Sequence, residues 1–250
     1  MGREEHERAV RFRTARRDPE LTVVEGFHAL KHALRFGAEL VEAVGTDPPA
    51  LESMAAELAP DLGGRLAGQV EAVDKETLAD LVPLVPHTGV AAIARRPQVD
   101  PVAALADPAP EPAVLLEDPR NMGNIGACIR VAAAAGAAGV FTTGENDPWH
   151  PDAVRGAAGL QFALPVAKVE SLPASDRPLL AIDPEGEALA PGRMPARAIL
   201  AFGTERHGLS SEVIERAVAR VSIPMREGVS SLNLATSVAI VLFAMRIRSN

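Results

Sequence analysis

From residue 113 onward the chain alternates short apolar runs with stretches of helical period, and this rhythm constrains its fold more than any other feature. "AVLLE" reads as a strand, 124–135 as an Ala-rich helix, "AGVFTTG" as a strand and "DAVRGAAGL" as a short helix. "LLAID" and "AILAFG" are further strands, "SSEVIERAV" a helix, "ARVSIP" a strand and "SLNLATSVAIVLFAMRIR" a closing helix. Strand and helix in this order predict a parallel sheet with helices on both faces. Ligands of such sheets sit beyond the carboxyl ends of the strands. Three loops at those ends therefore matter most: 118–126, 203–210 and 224–233.

The part before residue 99 is organised differently. "LTVVEGFHALKHALRFG" predicts a strand and a helix ended by Gly37, "LVEAVGT" a strand, and "PALESMAAELAPDL" and "KETLADLV" two helices. This is a small α/β domain of about the minimum self-supporting size. "RPQVDPVAALADPAPEP" at 96–112 is dense in proline and reads as a linker or covering strap. The expected division is an arm over 1–20, a first domain over 21–98, a linker over 99–112 and a second domain over 113–250. The arm's first seventeen residues carry Arg3, Arg8, Arg11, Arg13, Arg16 and Arg17 against three glutamates, and charge alone favours a solvated, partly disordered segment.

Bulk properties narrow the function classes. Net charge is −8, which argues against blanket attraction to nucleic acid while permitting a local basic face. Only Lys31, Lys75 and Lys168 are lysines; with arginine and alanine so abundant, single arginines carry little signal. The one cysteine, Cys128, excludes an internal disulfide and a cysteine metal cluster and fits a reducing cytoplasm. The start of the chain does not read as an export signal. The run "LATSVAIVLFAM" at 234–245 is too short for a membrane span and reads as a buried helix.

The loops themselves leave alternatives open. "DPRNMGNIG" has Gly123 and Gly126 but not the G-x-G-x-x-G of a dinucleotide fold, which weakens an oxidoreductase reading. Its glycines admit close backbone approach, and a helix N-terminus favours an anion, yet a plain turn with an exposed Arg130 accounts for it equally well. In "GTERHGLS", Gly203 follows a buried strand, Glu205 supplies a carboxylate, and Ser210 or Ser211 caps the next helix. His207 there reads as incidental rather than as a base. In "SIPMREGVSSLNLA", Ser230 or Ser231 is placed to cap the last helix, which leaves Asn233 unexplained.

Taken in order, "DPRNMGNIGACIR", "LAFGTERHGLS" and "IPMREGVSSLNLATSVAI" resemble the three motifs of the SpoU/TrmH family of RNA 2′-O-ribose methyltransferases, within the knotted SPOUT class. Residues 21–95 resemble, more weakly, the L30e-like RNA-binding domain that many members carry in front. The resemblance implies a trefoil-knotted sheet, S-adenosylmethionine as cofactor, an RNA substrate and a homodimer. It places catalytic roles on Asn121, Arg130, Glu205, Ser231 and Asn233, and cofactor contacts on Gly203, Ile223 and Leu232. It directs Arg120 and Arg155 toward RNA and calls for no metal. Where many members read Arg-Ala-Ser-Ala-Gly, this chain has "RGAAG", with Ala157 in the serine's place. Ribosomal RNA is the expected target, because such a front domain suits a folded RNA element. The alternatives are a transfer-RNA 2′-O-methyltransferase of the same family, a non-catalytic RNA-binding protein of the same fold, and small-molecule methyl transfer, which the front domain disfavours.

Overall fold

The computed structural model describes residues 2–66, 68–204 and 207–249. They form two compact units, Met1–Gln98 with Trp149–Ala163, and Val99–Pro148 with Leu164–Asn250. The chain opens with α1 (Arg3–Ala15), β1 (Leu21–Glu25), α2 (Phe27–Arg35), β2 (Leu40–Gly45), α3 (Pro48–Leu58), β3 (Glu71–Ala72), α4 (Lys75–Leu81) and β4 (Val90–Arg95). There follow α5 (Pro101–Ala106), β5 (Ala113–Leu116), α6 (Met122–Ala135), β6 (Gly139–Thr142) and α7 (Pro151–Gly156). The last elements are β7 (Val166–Lys168), β8 (Leu179–Ala188), β9 (Ile199–Phe202), α8 (Ser211–Arg216), β10 (Ala219–Ser222) and α9 (Leu234–Ser249).

The first unit is built on a four-stranded sheet of order β1-β4-β2-β3, with β4 antiparallel to both neighbours. The sequence reading left β4 unassigned. It is buried from Val90 to Ala94, and an Ala-rich run of that length carries too little β-branched character to announce a strand.

Residues 3–15, expected as a solvated arm, are instead a packed helix. Ala9, Phe12 and Ala15 are buried against Val23, Leu78 and Val82. Arg8 is buried too, with its Nε 2.7 Å from Glu42 Oε1 and its Nη2 2.7 Å from Glu71 Oε2. Arg11 closes the cluster at 2.7 Å from Glu42 Oε2. Charge counting missed this because the neutralising acids lie far along the chain and the apolar face of α1 is only three residues wide.

Burial pushes the Glu42 carboxyl up, but the hydrogen bonds from Arg11 and Arg8 outweigh it and hold its pKa below the ordinary 4.5. A carboxyl depressed in the folded state contributes stability in full above its ordinary value and loses it as pH falls through the folded one. Glu42→Gln should cost about 1–3 kcal/mol at pH 7 and flatten the acid side of the stability profile. Parallel denaturation profiles for wild type and variant below pH 5 would contradict the assignment.

Residues 149–163 belong to the first unit because specific bonds hold them there. Thr22 Oγ1 donates to the Trp149 carbonyl at 2.8 Å, and His32 Nδ1 lies 2.7 Å from the Ala158 carbonyl. Glu25, almost fully buried, is paired with Arg16 and, at 2.8 Å, with Arg155. A buried carboxylate demands such partners.

The second unit holds a six-stranded sheet of order β10-β8-β9-β5-β6-β7, parallel throughout. β5, β6 and β9 are buried along their whole length, as strands covered on both faces must be. The chain runs outward from β5 through β6 to β7, then returns to lay β8 and β9 on the other side. The strand order therefore reverses between β5 and β9, and the loops after these two strands flank the switch point where open α/β sheets bind ligands.

The proline-dense 96–112 segment is a strap with its own short helix, α5, capped by Asp100 and anchored by the buried Leu105. Arg177 ties it down, donating to the carbonyls of Leu105, Asp107 and Glu111 at 2.8, 3.0 and 2.7 Å. No helix among the described residues is long and apolar enough to cross a membrane.

Candidate active site

Two adjoining hollows open at the carboxyl edge of the second sheet. The first is a cleft walled by Ile182–Pro184 of β8, Phe202–Thr204 after β9, Ile223 and Met225 after β10, and Ser230–Leu232 before α9. Its free space, including the solvent-open mouth, is about 780 Å³. The cofactor contacts expected from sequence, Gly203, Ile223 and Leu232, all stand on this wall, and so does Ser231. The second hollow is polar and is lined by Asp118, Arg120, Asn121, Asn124 and His207. Thr204 and Leu234 belong to both linings, so the two spaces share a wall.

The loop after β9 is held in one shape. The Thr204 and Gly208 amides each donate to the other's carbonyl at 3.0 Å. A Cβ on Gly203 would lie 2.0 Å from the Gly208 carbonyl carbon and 2.3 Å from the Leu209 nitrogen, so no larger residue fits this closure. Glu117, at the end of β5, braces the far side by accepting from the Ser210 amide at 2.7 Å and its hydroxyl at 2.6 Å. The sequence reading passed over Glu117; its one signal is an acid placed directly after a fully apolar strand. Ser210 caps α8 as expected, accepting from the Val213 amide at 3.3 Å.

At the start of α9 the structure corrects the serine expectation. Asn233 is the cap, its Oδ1 accepting from the Ala235 and Thr236 amides at 2.9 and 3.3 Å. Ser230 and Ser231 are left to line the cleft. Asn233 Nδ2 donates to Asn124 Oδ1 at 3.1 Å, which joins the N-terminal turns of α9 and α6. Asn121 caps α6 through its own Oδ1, 2.9 Å from the Asn124 amide, leaving its Nδ2 as a donor beside the polar hollow. Both asparagines thus have a structural task that a helix-propensity argument overlooks.

The remaining residues are distributed unevenly. Asp118 adopts a left-handed φ of 46°, a sparsely populated conformation for a non-glycine residue, and its carboxylate holds Arg120 at 2.5 Å. His207, read as incidental, stands in the polar lining, its amide donating to Thr204 Oγ1 at 3.0 Å. Arg155 sits in the first unit and is engaged by Glu25 and, at 2.5 Å, by Asp152. Arg130 lies outside both linings, exposed on α6, its side chain making no hydrogen bond or ion pair with any described residue. Glu205 lies outside the described residues.

These loops fall within the span over which the chain matches the model of the SpoU rRNA Methylase family, residues 111–243. The chain belongs to the SpoU rRNA methylase family. Its relatives include an uncharacterized tRNA/rRNA methyltransferase of Synechocystis sp., 30% identical over 90% of this chain and 83% of that protein. The 23S rRNA (adenosine(1067)-2′-O)-methyltransferase of Streptomyces azureus is 29% identical over 91% of this chain and 87% of the relative. Among solved SpoU structures, the methyltransferase AviRb of Streptomyces viridochromogenes in complex with AdoMet superposes with a TM-score of 0.79 at 25% identity, covering 100% of this chain and 99% of the other. A structure described as an RNA 2′-O ribose methyltransferase superposes with a TM-score of 0.73 at 28% identity, over 100% of this chain and 97% of that one. The SpoU match spans both hollows and every element that shapes them.

Proposed function

We propose that this protein is an S-adenosylmethionine-dependent RNA 2′-O-ribose methyltransferase that acts on ribosomal RNA as a homodimer. The observation that carries the reading is the pair of hollows at the switch point, one apolar and rich in backbone groups, the other polar, meeting at Thr204 and Leu234. The first suits the donor: its apolar walls accept an adenine ring, and none of the described residues lining it is a cation that would repel a sulfonium. When bound there, the donor supplies a methyl group already attached to a good leaving group.

What the protein must add is position and charge. The polar hollow receives the ribose, with Asn121 Nδ2 as an orienting donor. Arg130 grips the adjoining phosphate and stabilises the oxyanion that develops at the 2′-oxygen. A guanidinium stays protonated in proteins, so Arg130 acts as a cation and not as the base. Ser231 stands where the donor's wall turns toward α9, and Asn233 holds that turn against α6. Glu205 takes the role its place in the family motif implies. The first unit, whose sequence resembles L30e-like domains, recognises folded RNA, and Arg120 adds a cation beside the ribose hollow. The resemblance also implies the knotted threading of the last loops.

The dimer reading rests on one face. Ile240, Phe243 and Ile247 are exposed on a single stripe of α9, which packs against α6. Three and four residues from Arg130 along α6 stand Gly126, Ala127, Ala133 and Ala134, all small. A second copy covers this stripe and places Arg130 at the joint. Phe243→Asp should convert the dimer to monomers in sedimentation and abolish methyl transfer; a variant that stays dimeric would speak against this face.

The reading is tested by incubating the protein with methyl-labelled S-adenosylmethionine and either deproteinised ribosomal RNA or total transfer RNA. Label in ribosomal RNA that blocks alkaline cleavage at one linkage is the expected result. Label confined to transfer RNA would reassign the substrate, and absence of donor binding would overturn the enzyme reading.

A further inference from the structure

We infer that Asp183 recognises the ribose of the methyl donor, accepting a hydrogen bond from one of its hydroxyls through Oδ2; this rests on the donor reading of the cleft. Asp183 is the only ionisable side chain among the described residues lining that cleft. It stands one residue beyond the stretch of β8 that pairs with β9, at the carboxyl edge of the sheet. In dinucleotide folds an acid near a strand's end meets a ribose hydroxyl from a comparable position.

The backbone is arranged to aim it. The pairing of β10 with β8 jumps from Arg220 opposite Ala181 to Val221 opposite Glu187, so residues 182–186 bulge out of the ladder. Bulges of this kind re-aim side chains beside binding sites. Gly186 permits the jump, since a Cβ there would lie 2.5 Å from the Arg220 carbonyl carbon and the Val221 nitrogen.

Asp183 is also anchored by one oxygen alone. Its Oδ1 accepts from Arg220 Nη2 at 2.7 Å and from the Glu185 amide at 2.8 Å. Its Oδ2 makes no hydrogen bond with any described residue, although the side chain is only 12% exposed. A carboxylate paired with an arginine through one oxygen, with the other unused and its residue on the wall of a ligand space, is an acceptor awaiting a donor. A purely structural partner of Arg220 would need no place on the cleft wall.

Asp183→Asn tests this with little disturbance, because its amide oxygen can still receive Arg220 and the Glu185 amide. Calorimetric titration with S-adenosylhomocysteine should show roughly tenfold weaker binding in the variant. The 2′- or the 3′-deoxyadenosyl form should bind roughly tenfold more weakly to wild type, while the variant loses less than about threefold on the same change. Equal affinity of wild type and variant would overturn the proposal, as would equal deoxy penalties in both. A variant deficit that vanishes with 5′-methylthioadenosine would also overturn it, by assigning the carboxylate to the amino group. Wild-type protein indifferent to both deoxy changes overturns it without any variant. Wild-type protein that binds no S-adenosylhomocysteine at all would overturn the donor reading itself, a result distinct from the others.

Discussion

Arg130→Ala should lower the rate of methyl transfer by about 10²–10³-fold or more while leaving donor affinity within about twofold. The separation follows from geometry: Arg130 lies outside the donor cleft, exposed on α6 with no partner among the described residues. An arginine that stabilised the fold would be paired or packed, as Arg8 and Arg177 are. Arg130→Lys sharpens the test, because a lysine keeps the charge and yields a proton more readily but cannot fork onto a phosphate. Activity near that of alanine in the lysine variant supports a bidentate phosphate grip. Activity equal to wild type would favour a simple charge or a base. Lost donor binding in Arg130→Ala, measured by calorimetry, would contradict the role altogether.

Gly203→Ala should be the most damaging single-atom addition in the second unit. The new methyl would lie 2.0 Å from the Gly208 carbonyl carbon, so the loop must open and give up the two 3.0 Å bonds between Thr204 and Gly208. Overpacking of this kind costs about 1–3 kcal/mol, and each lost hydrogen bond about 1 kcal/mol more. A Tm lower by roughly 5–10 °C is expected. Donor affinity should fall at least roughly tenfold, because Phe202–Thr204 form one wall of the cleft. A variant with unchanged melting and unchanged donor binding would show that the loop does not shape the site.

Comparing the two units shows which features were legible before the fold was known. The parallel order of the second unit could be read directly, because β5, β6 and β9 are apolar throughout and their turns carry glycine, proline and asparagine. The first unit was harder. β3 and β4 went unread there, the one because it is only two residues long, the other because alanine hides a strand; of the second unit's strands the three-residue β7 escaped. The helical nature of residues 3–15 was masked by their charge. At the site, the order of the three motifs pointed to Gly203, Ile223 and Leu232, which do stand together on the cleft wall. The cap of α9 was misassigned, since Ser230, Ser231 and Asn233 are all competent caps and only the true start at Leu234 chooses among them.

By itself, then, the sequence determined what depends on neighbours within about a turn of chain: the strand and helix alternation, the loops that end each strand, and the motif order that identifies the family. The tertiary structure decided what depends on partners far apart. Arg8 meets Glu42 across a separation of 34 residues, Asn233 meets Asn124 across 109, and Arg155 meets Glu25 across 130. Local periodicity and turn chemistry are properties of short segments, whereas the partner of a charge or an amide is settled only when the chain folds back and burial demands that each polar group be satisfied. That is why Arg155 could be read from its motif as an RNA contact, yet only the fold shows it paired with a buried glutamate.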